Sequence, residues 1–147
     1  FKVRGRDLRV DFLTPMEGRD TSEPTFLPAF RLSATPLRGL GYLIADTLQA
    51  VILGTDVVLV NIPSPGRFAL HKLWTSQQRP AAFQAKARKD QIQAEQLIEV
   101  LLEDRPDDLH EAWGALPSTT TRRTVRQTLR GFSKAVREAF LDVVESK

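Results

Sequence analysis

Apolar and polar residues alternate along Leu8-Arg9-Val10-Asp11-Phe12-Leu13. A period of two puts Leu8, Val10 and Phe12 on one face of a strand and Arg9, Asp11 and Leu13 on the other. Phe1–Arg4 reads as a short partner strand across the turn-like Gly5-Arg6-Asp7. From Thr14 to Arg38 the alternation fades and four prolines intervene, which predicts a long surface loop. Leu48–Leu53 and Val57–Ile62 are rich in β-branched residues and flank Gly54-Thr55-Asp56, the pattern of a hairpin. Both of its faces are largely apolar, which predicts a central place in a sheet.

From Ser64 the period lengthens to that of a helix. Ser64 is a natural N-cap and Pro65 a natural first helical residue, so a helix is expected through Gln78. A second helix over residues 83–103 carries the stripe Ala87, Ala94, Leu97, Ile98 and Leu101, with Asp90 on the same stripe. A third starts at Pro106, with Asp107 and Asp108 placed favourably in its first turn, and ends near Leu116-Pro117. A fourth is expected to run unbroken from Ser118, with Val125, Leu129, Phe132, Val136, Ala139 or Phe140, and Val143 facing the core. Neither an internal repeat nor a low-complexity tract is present.

Composition narrows the chemistry. A chain of 147 residues is long enough for one domain with a real core or for two small lobes. Without cysteine there are no disulfides, thiolate nucleophiles or cysteine zinc sites, and His71 and His110 alone are a poor basis for a histidine metal site. No apolar run approaches the roughly 18 residues of a membrane span, so no membrane partner is expected and the cytoplasm is the default location. The net charge of +3 hints at anionic partners.

Three segments in order carry a family resemblance. The first is the strand with Asp11 between apolar neighbours. The second is Asn61-Ile62-Pro63-Ser64-Pro65-Gly66-Arg67-Phe68-Ala69-Leu70-His71-Lys72-Leu73, a strand running into a helix. The third is Arg79-Pro80 followed by Lys86-Ala87-Arg88-Lys89-Asp90-Gln91. The set, from Phe1 to about Leu102, resembles the nucleotidyltransferase superfamily, and within it bacterial proteins related to the abortive-infection toxin type. That superfamily also has a Gly-Ser helix cap followed by Asp-x-Asp, and neither motif occurs here. The chain opens on Phe1 inside a strand-like run, so it reads as the C-terminal part of a longer protein.

The resemblance implies an α+β class: the C-terminal part of a nucleotidyltransferase fold, with an antiparallel or mixed sheet over residues 1–63 followed by a four-helix lobe over residues 64–147. It implies transfer of a nucleoside monophosphate from a nucleoside triphosphate to an unidentified acceptor with two Mg²⁺ ions, in the intact protein and not in this fragment alone. Asp11 would then be a catalytic carboxylate and metal ligand, since hard cations take oxygen ligands. Lys72, Lys86 and Lys89 would contact nucleotide phosphates, with Arg79 and Asp90 in support.

Each of these residues also has a structural reading. Asp11 can lie on a solvated face paired with Arg4 or Arg9. The stem of Lys72 can cover Phe68, and His71 suits a packing role. Asp90 on a core-facing stripe is commonly an ion-pair member, with Arg79 as the natural partner.

The last helix is basic first and acidic last. Arg122, Arg126, Arg130 and Lys134 recur every four residues, while Glu138, Asp142 and Glu145 follow them, the reverse of what a helix dipole favours. Either acids of the preceding helices offset this row or it binds polyanion. Two alternatives to the enzyme follow: a nucleic-acid-binding module using this helix, or a toxin–antitoxin type interaction protein.

Overall fold

The computed structural model describes Gly5, residues 10–16, Gly18, Thr21 and residues 23–146. The chain is α+β, with every described strand before Ser64 and the long helices after it. It packs as two compact units, Phe1–Gly41 and Tyr42–Lys147.

In the first unit, β1 (Leu13–Pro15), β2 (Thr25–Leu27) and β3 (Leu32–Leu37) form a mixed three-stranded sheet in the order β1-β3-β2. The pair β1 and β3 is parallel, with Leu13 opposite Thr35, and β2 is antiparallel to β3, with Thr25 opposite Ala34. Residues 14–38 therefore contain the end of β1 and all of β2 and β3, where one long loop was expected. Pro15 ends β1, Pro28 opens a single 3₁₀ turn over Pro28–Phe30, and Pro36 lies in β3 opposite Thr14, beyond the Leu32–Ala34 stretch that pairs with β2. That turn closes on Arg31, which adopts the left-handed conformation at φ 50° and aims the chain into β3. Alternation along β3 buries Ala34 and Pro36.

The proposed strand Phe1–Arg4, and Leu8 and Arg9 of its partner, lie outside the described residues. Val10, Asp11 and Phe12 precede β1, and the Phe12 carbonyl accepts from Thr35 N at 2.8 Å. Val10 and Phe12 are each 40% exposed, so the expected buried face is not formed by these two.

The second unit begins within the short helix α1 (Leu40–Ile44) and continues into the hairpin β4 (Thr47–Leu53) and β5 (Val57–Pro63). Leu48 faces Ile62, Ala50 faces Val60 and Ile52 faces Val58. Among the described residues the hairpin is a sheet of its own, so both strands are edges and not the central strands expected. Its apolar tip is open: Leu53 is 78% exposed and Val57 74%.

Five helices follow: α2 (Pro65–Ser76), α3 (Gln84–Asp104), α4 (Pro106–Gly114), α5 (Thr119–Leu129) and α6 (Lys134–Glu145). Ser64 does sit at the N-cap of α2 with Pro65 after it, but its side chain makes no capping bond. The last expected helix is two helices. Gly131 weakens the helix where it would have continued, and Ser133 caps a new one by accepting from Val136 N at 3.3 Å. Glu95 Oε1 accepts from Ser133 N at 2.9 Å and fixes that start against α3.

Helix α2 is the centre of the unit, packing on α3, α4 and α5, while α6 lies on α3 and α4. Leu70, Leu73, Ile98, Leu109, Val125, Leu129 and Phe140 are fully buried, and Trp113 meets Phe140 edge to face at 5.8 Å. Tyr42 joins this core and donates from Oη to the Ala112 carbonyl at 2.9 Å. Burial pushes its phenol pKa up, against the opposing charge of Arg67. None of the described helices is long and apolar enough to cross a membrane.

Candidate functional site

Three of the residues singled out in the sequence meet in one place. Lys72 lies two turns into α2, Arg79 in the connection after that helix, and Asp90 two turns into α3 on the stripe of Ala87 and Ala94. Lys72 Nζ donates to Asp90 Oδ1 at 2.8 Å. Arg79 donates to Oδ2 from Nε at 3.0 Å and from Nη2 at 2.5 Å. Both carboxylate oxygens are thus occupied, each by a different cation.

The local sequence explains the meeting. The stripe that packs α3 on α2 turns Asp90 inward, where only 5% of it is exposed. A carboxylate buried there must be neutralised. Lys72 reaches it because its stem runs over Phe68, with the ammonium 4.9 Å from the ring centre. Alongside, Gln91 Nε2 donates to Ser76 Oγ at 3.3 Å, a second polar tie between α2 and α3. Burial acts to raise the Asp90 carboxyl, but the hydrogen bonds and charges of Lys72 and Arg79 outweigh it and hold it below its ordinary value. Two cations against one carboxylate leave excess positive charge at a partly open position, since the Lys72 and Arg79 side chains keep 17% and 26% of their surface.

The other sequence-derived candidates are dispersed. Lys86 and Lys89 are exposed on α3 and carry no ion pair among the described residues. Asp11 is exposed and belongs to the first unit. His71 is buried, with its ring edge-on to Trp74 at 6.2 Å, as suits a packing residue.

The arginine row is divided by the break between α5 and α6. Arg122 donates to the Gly114 carbonyl at 2.9 Å, and Lys134 stands 3.8 Å from Glu138 within α6. Arg126 pairs with Glu145 at 2.7 Å and lies over the Trp113 ring. Arg130 is exposed with no carboxylate partner among the described residues. The acids expected to offset the row are not its partners: Asp108 pairs instead with Arg105 at 2.8 Å. The break relieves the reversed charge order at the end of α5 only, since Lys134 still opens α6 and Glu145 still closes it. Arg126 falls in the last turn of α5, where a cation is favoured, and the chain folds back to bring Glu145 beside it. Gly131 and Ser133 are the sequence signal for this, and it is easily lost in a stripe that stays in phase across them.

A family model described as nucleotidyltransferase matches residues 1–117, which include Asp11, the hairpin and the whole Lys72–Asp90–Arg79 cluster. No curated protein and no solved structure matches the chain. Because that match spans well over half of the 147 residues, and the α+β architecture agrees with it, the chain belongs to the nucleotidyltransferase family.

Proposed function

We propose that the intact protein transfers a nucleoside monophosphate from a nucleoside triphosphate to an acceptor, with Lys72 and Arg79 as cations that receive the phosphates. An acceptor hydroxyl oxygen forms a bond to the α-phosphorus and gives up its proton to water, while the bond to the α–β bridging oxygen breaks and pyrophosphate leaves with the negative charge. The observation that carries this reading is the buried Asp90 with its two cations, inside the segment matched by the family. Asp90 fixes both cations before any ligand arrives, and preorganised charge of this kind costs no reorientation when phosphate charge develops. Lys86, one turn before Asp90, and Lys89 beside it are proposed to extend the positive surface.

The family implies a divalent metal ion, in this reading Mg²⁺. Among the described residues no three His, Asp or Glu side chains are gathered as ligands, and Asp11 offers a single exposed carboxylate. These residues do not fit a two-ion centre. Asp11 is proposed as one oxygen ligand in the intact protein.

The test is label transfer by the intact protein, offered RNA and protein acceptors with nucleotides labelled at either the α- or the γ-phosphate. Transfer of the α-label alone is expected, with Lys72→Gln lowering it by roughly 10²-fold. Transfer of the γ-label, or full transfer by a folded Lys72→Gln variant, would overturn the proposal.

A further inference from the structure

Helices α5 and α6 border an open cleft of about 610 Å³ lined by Arg126, Leu129, Arg130, Arg137, Leu141 and Glu145. We propose that this cleft binds phosphate groups at a second anion site, which shares no residue with the Lys72–Asp90–Arg79 cluster. Its construction follows from the helix break. Residues 137, 141 and 145 recur every four along α6 and form one wall, a row about 12 Å long at 1.5 Å per residue. Arg126, Leu129 and Arg130 on α5 form the other wall.

Three guanidinium groups face one carboxylate. Arg126 is held, paired with Glu145 at 2.7 Å and stacked 5.3 Å from the centre of the Trp113 ring. Arg130 and the half-buried Arg137 have no carboxylate partner among the described residues. The cleft therefore has one fixed cation and two uncompensated ones.

Its floor adds a second favourable term. Leu129 is 1% exposed and Leu141 is packed on the core, so the floor beneath the guanidinium groups is apolar. Charge-assisted bonds strengthen as the local dielectric falls. The planar fork of arginine matches two phosphate oxygens at once, which a lysine point charge cannot do. A row of about 12 Å also has room for more than one phosphate. That chemistry could come from a polynucleotide backbone or from a free phosphate or nucleotide.

The experiment is fluorescence polarisation of a labelled single-stranded polyuridine oligonucleotide on the whole chain, at low and at moderate salt. Inorganic phosphate and a nucleoside triphosphate are titrated separately by calorimetry. The Arg130→Ala/Arg137→Ala double variant is compared with Arg123→Ala, an exposed α5 arginine outside the cleft. The double variant is expected to weaken binding by roughly tenfold or more while Arg123→Ala stays within about twofold. For the oligonucleotide, the slope of log affinity against log salt should fall by roughly 1.4, at about 0.7 for each single-strand phosphate contact.

If only phosphate or the triphosphate binds, and the double variant abolishes it, the site serves a free ligand; if the oligonucleotide binds, it serves a backbone. Absence of binding by every probe at low salt, or equal affinity in the two variants, would overturn the proposal. Should the double variant melt early, the single variant Arg130→Gln at its exposed position gives the same comparison.

Discussion

At the scale of single residues, Asp90 and its cations dominate. Asp90→Asn would leave Lys72 and Arg79 facing each other without their shared anion, with an expected cost of about 3 kcal/mol, the lower end for breaking a buried pair. Both cations keep some solvent, which is why the lower end is taken. The sign of the pH dependence follows from the depressed carboxyl of Asp90. A group whose folded pKa lies below its unfolded one contributes stability that is complete above the unfolded value, about 3.9 for an aspartate. That contribution is lost as pH falls through the lower folded value. The wild type should therefore lose stability more steeply than Asp90→Asn below about pH 4, and urea titrations across that range measure it. Equal steepness would show that the carboxylate is not held by its neighbours in solution. Asp90 is legible in the sequence because its spacing from Ala87 and Ala94 places a charge where only a neutralised one survives. Arg79 is legible as its partner. The second partner is not: Lys72 lies 18 residues away on another helix, and only packing brings it in.

Among the elements, the contact between α2 and α4 turns on one small residue. A side chain at Gly66 would run into the Asp108 backbone carbonyl and the Ala112 methyl. Neither can rotate away, so Gly66→Ala should force the helices apart and cost about 1–3 kcal/mol by overpacking. A chemical melt with an unchanged midpoint would contradict this close approach. Helix starts at Pro65 and Pro106 are legible because proline fixes the first helical φ and lacks the N–H that a helix start leaves unpaired. The break between α5 and α6 is harder to see. Val125, Leu129, Phe132, Val136 and Phe140 keep helical phase across it, and all are buried. Periodicity reports which residues face the core, not whether the backbone between them is continuous. The same limit hides β2 and β3. β2 is only three residues long, β3 carries Pro36 among polar residues, and the pairing of β3 with β1 joins residues 22 apart, Leu13 and Thr35.

For the molecule as a whole, the α+β class and the ordering of strands before helices are legible because patterning changes from a period of two to one of 3.6 at Ser64. The compact units divide after Gly41, so the hairpin over residues 47–63 folds with the helices that follow it. The family assignment rests on the matched segment. The use of Lys72 and Arg79 on nucleotide phosphates is the central claim built on it. Equilibrium dialysis with labelled nucleoside triphosphate tests that claim most directly, comparing the wild type with Lys72→Gln at matched thermal stability. Arg79 still neutralises Asp90 in that variant, so the fold should hold and only the phosphate contact should be lost. The expected result is saturable binding by the wild type and an affinity roughly tenfold weaker in Lys72→Gln, about 1.4 kcal/mol for a charge-assisted contact. Equal affinity in the two folded proteins would contradict the claim and leave the cluster as a tie between α2 and α3.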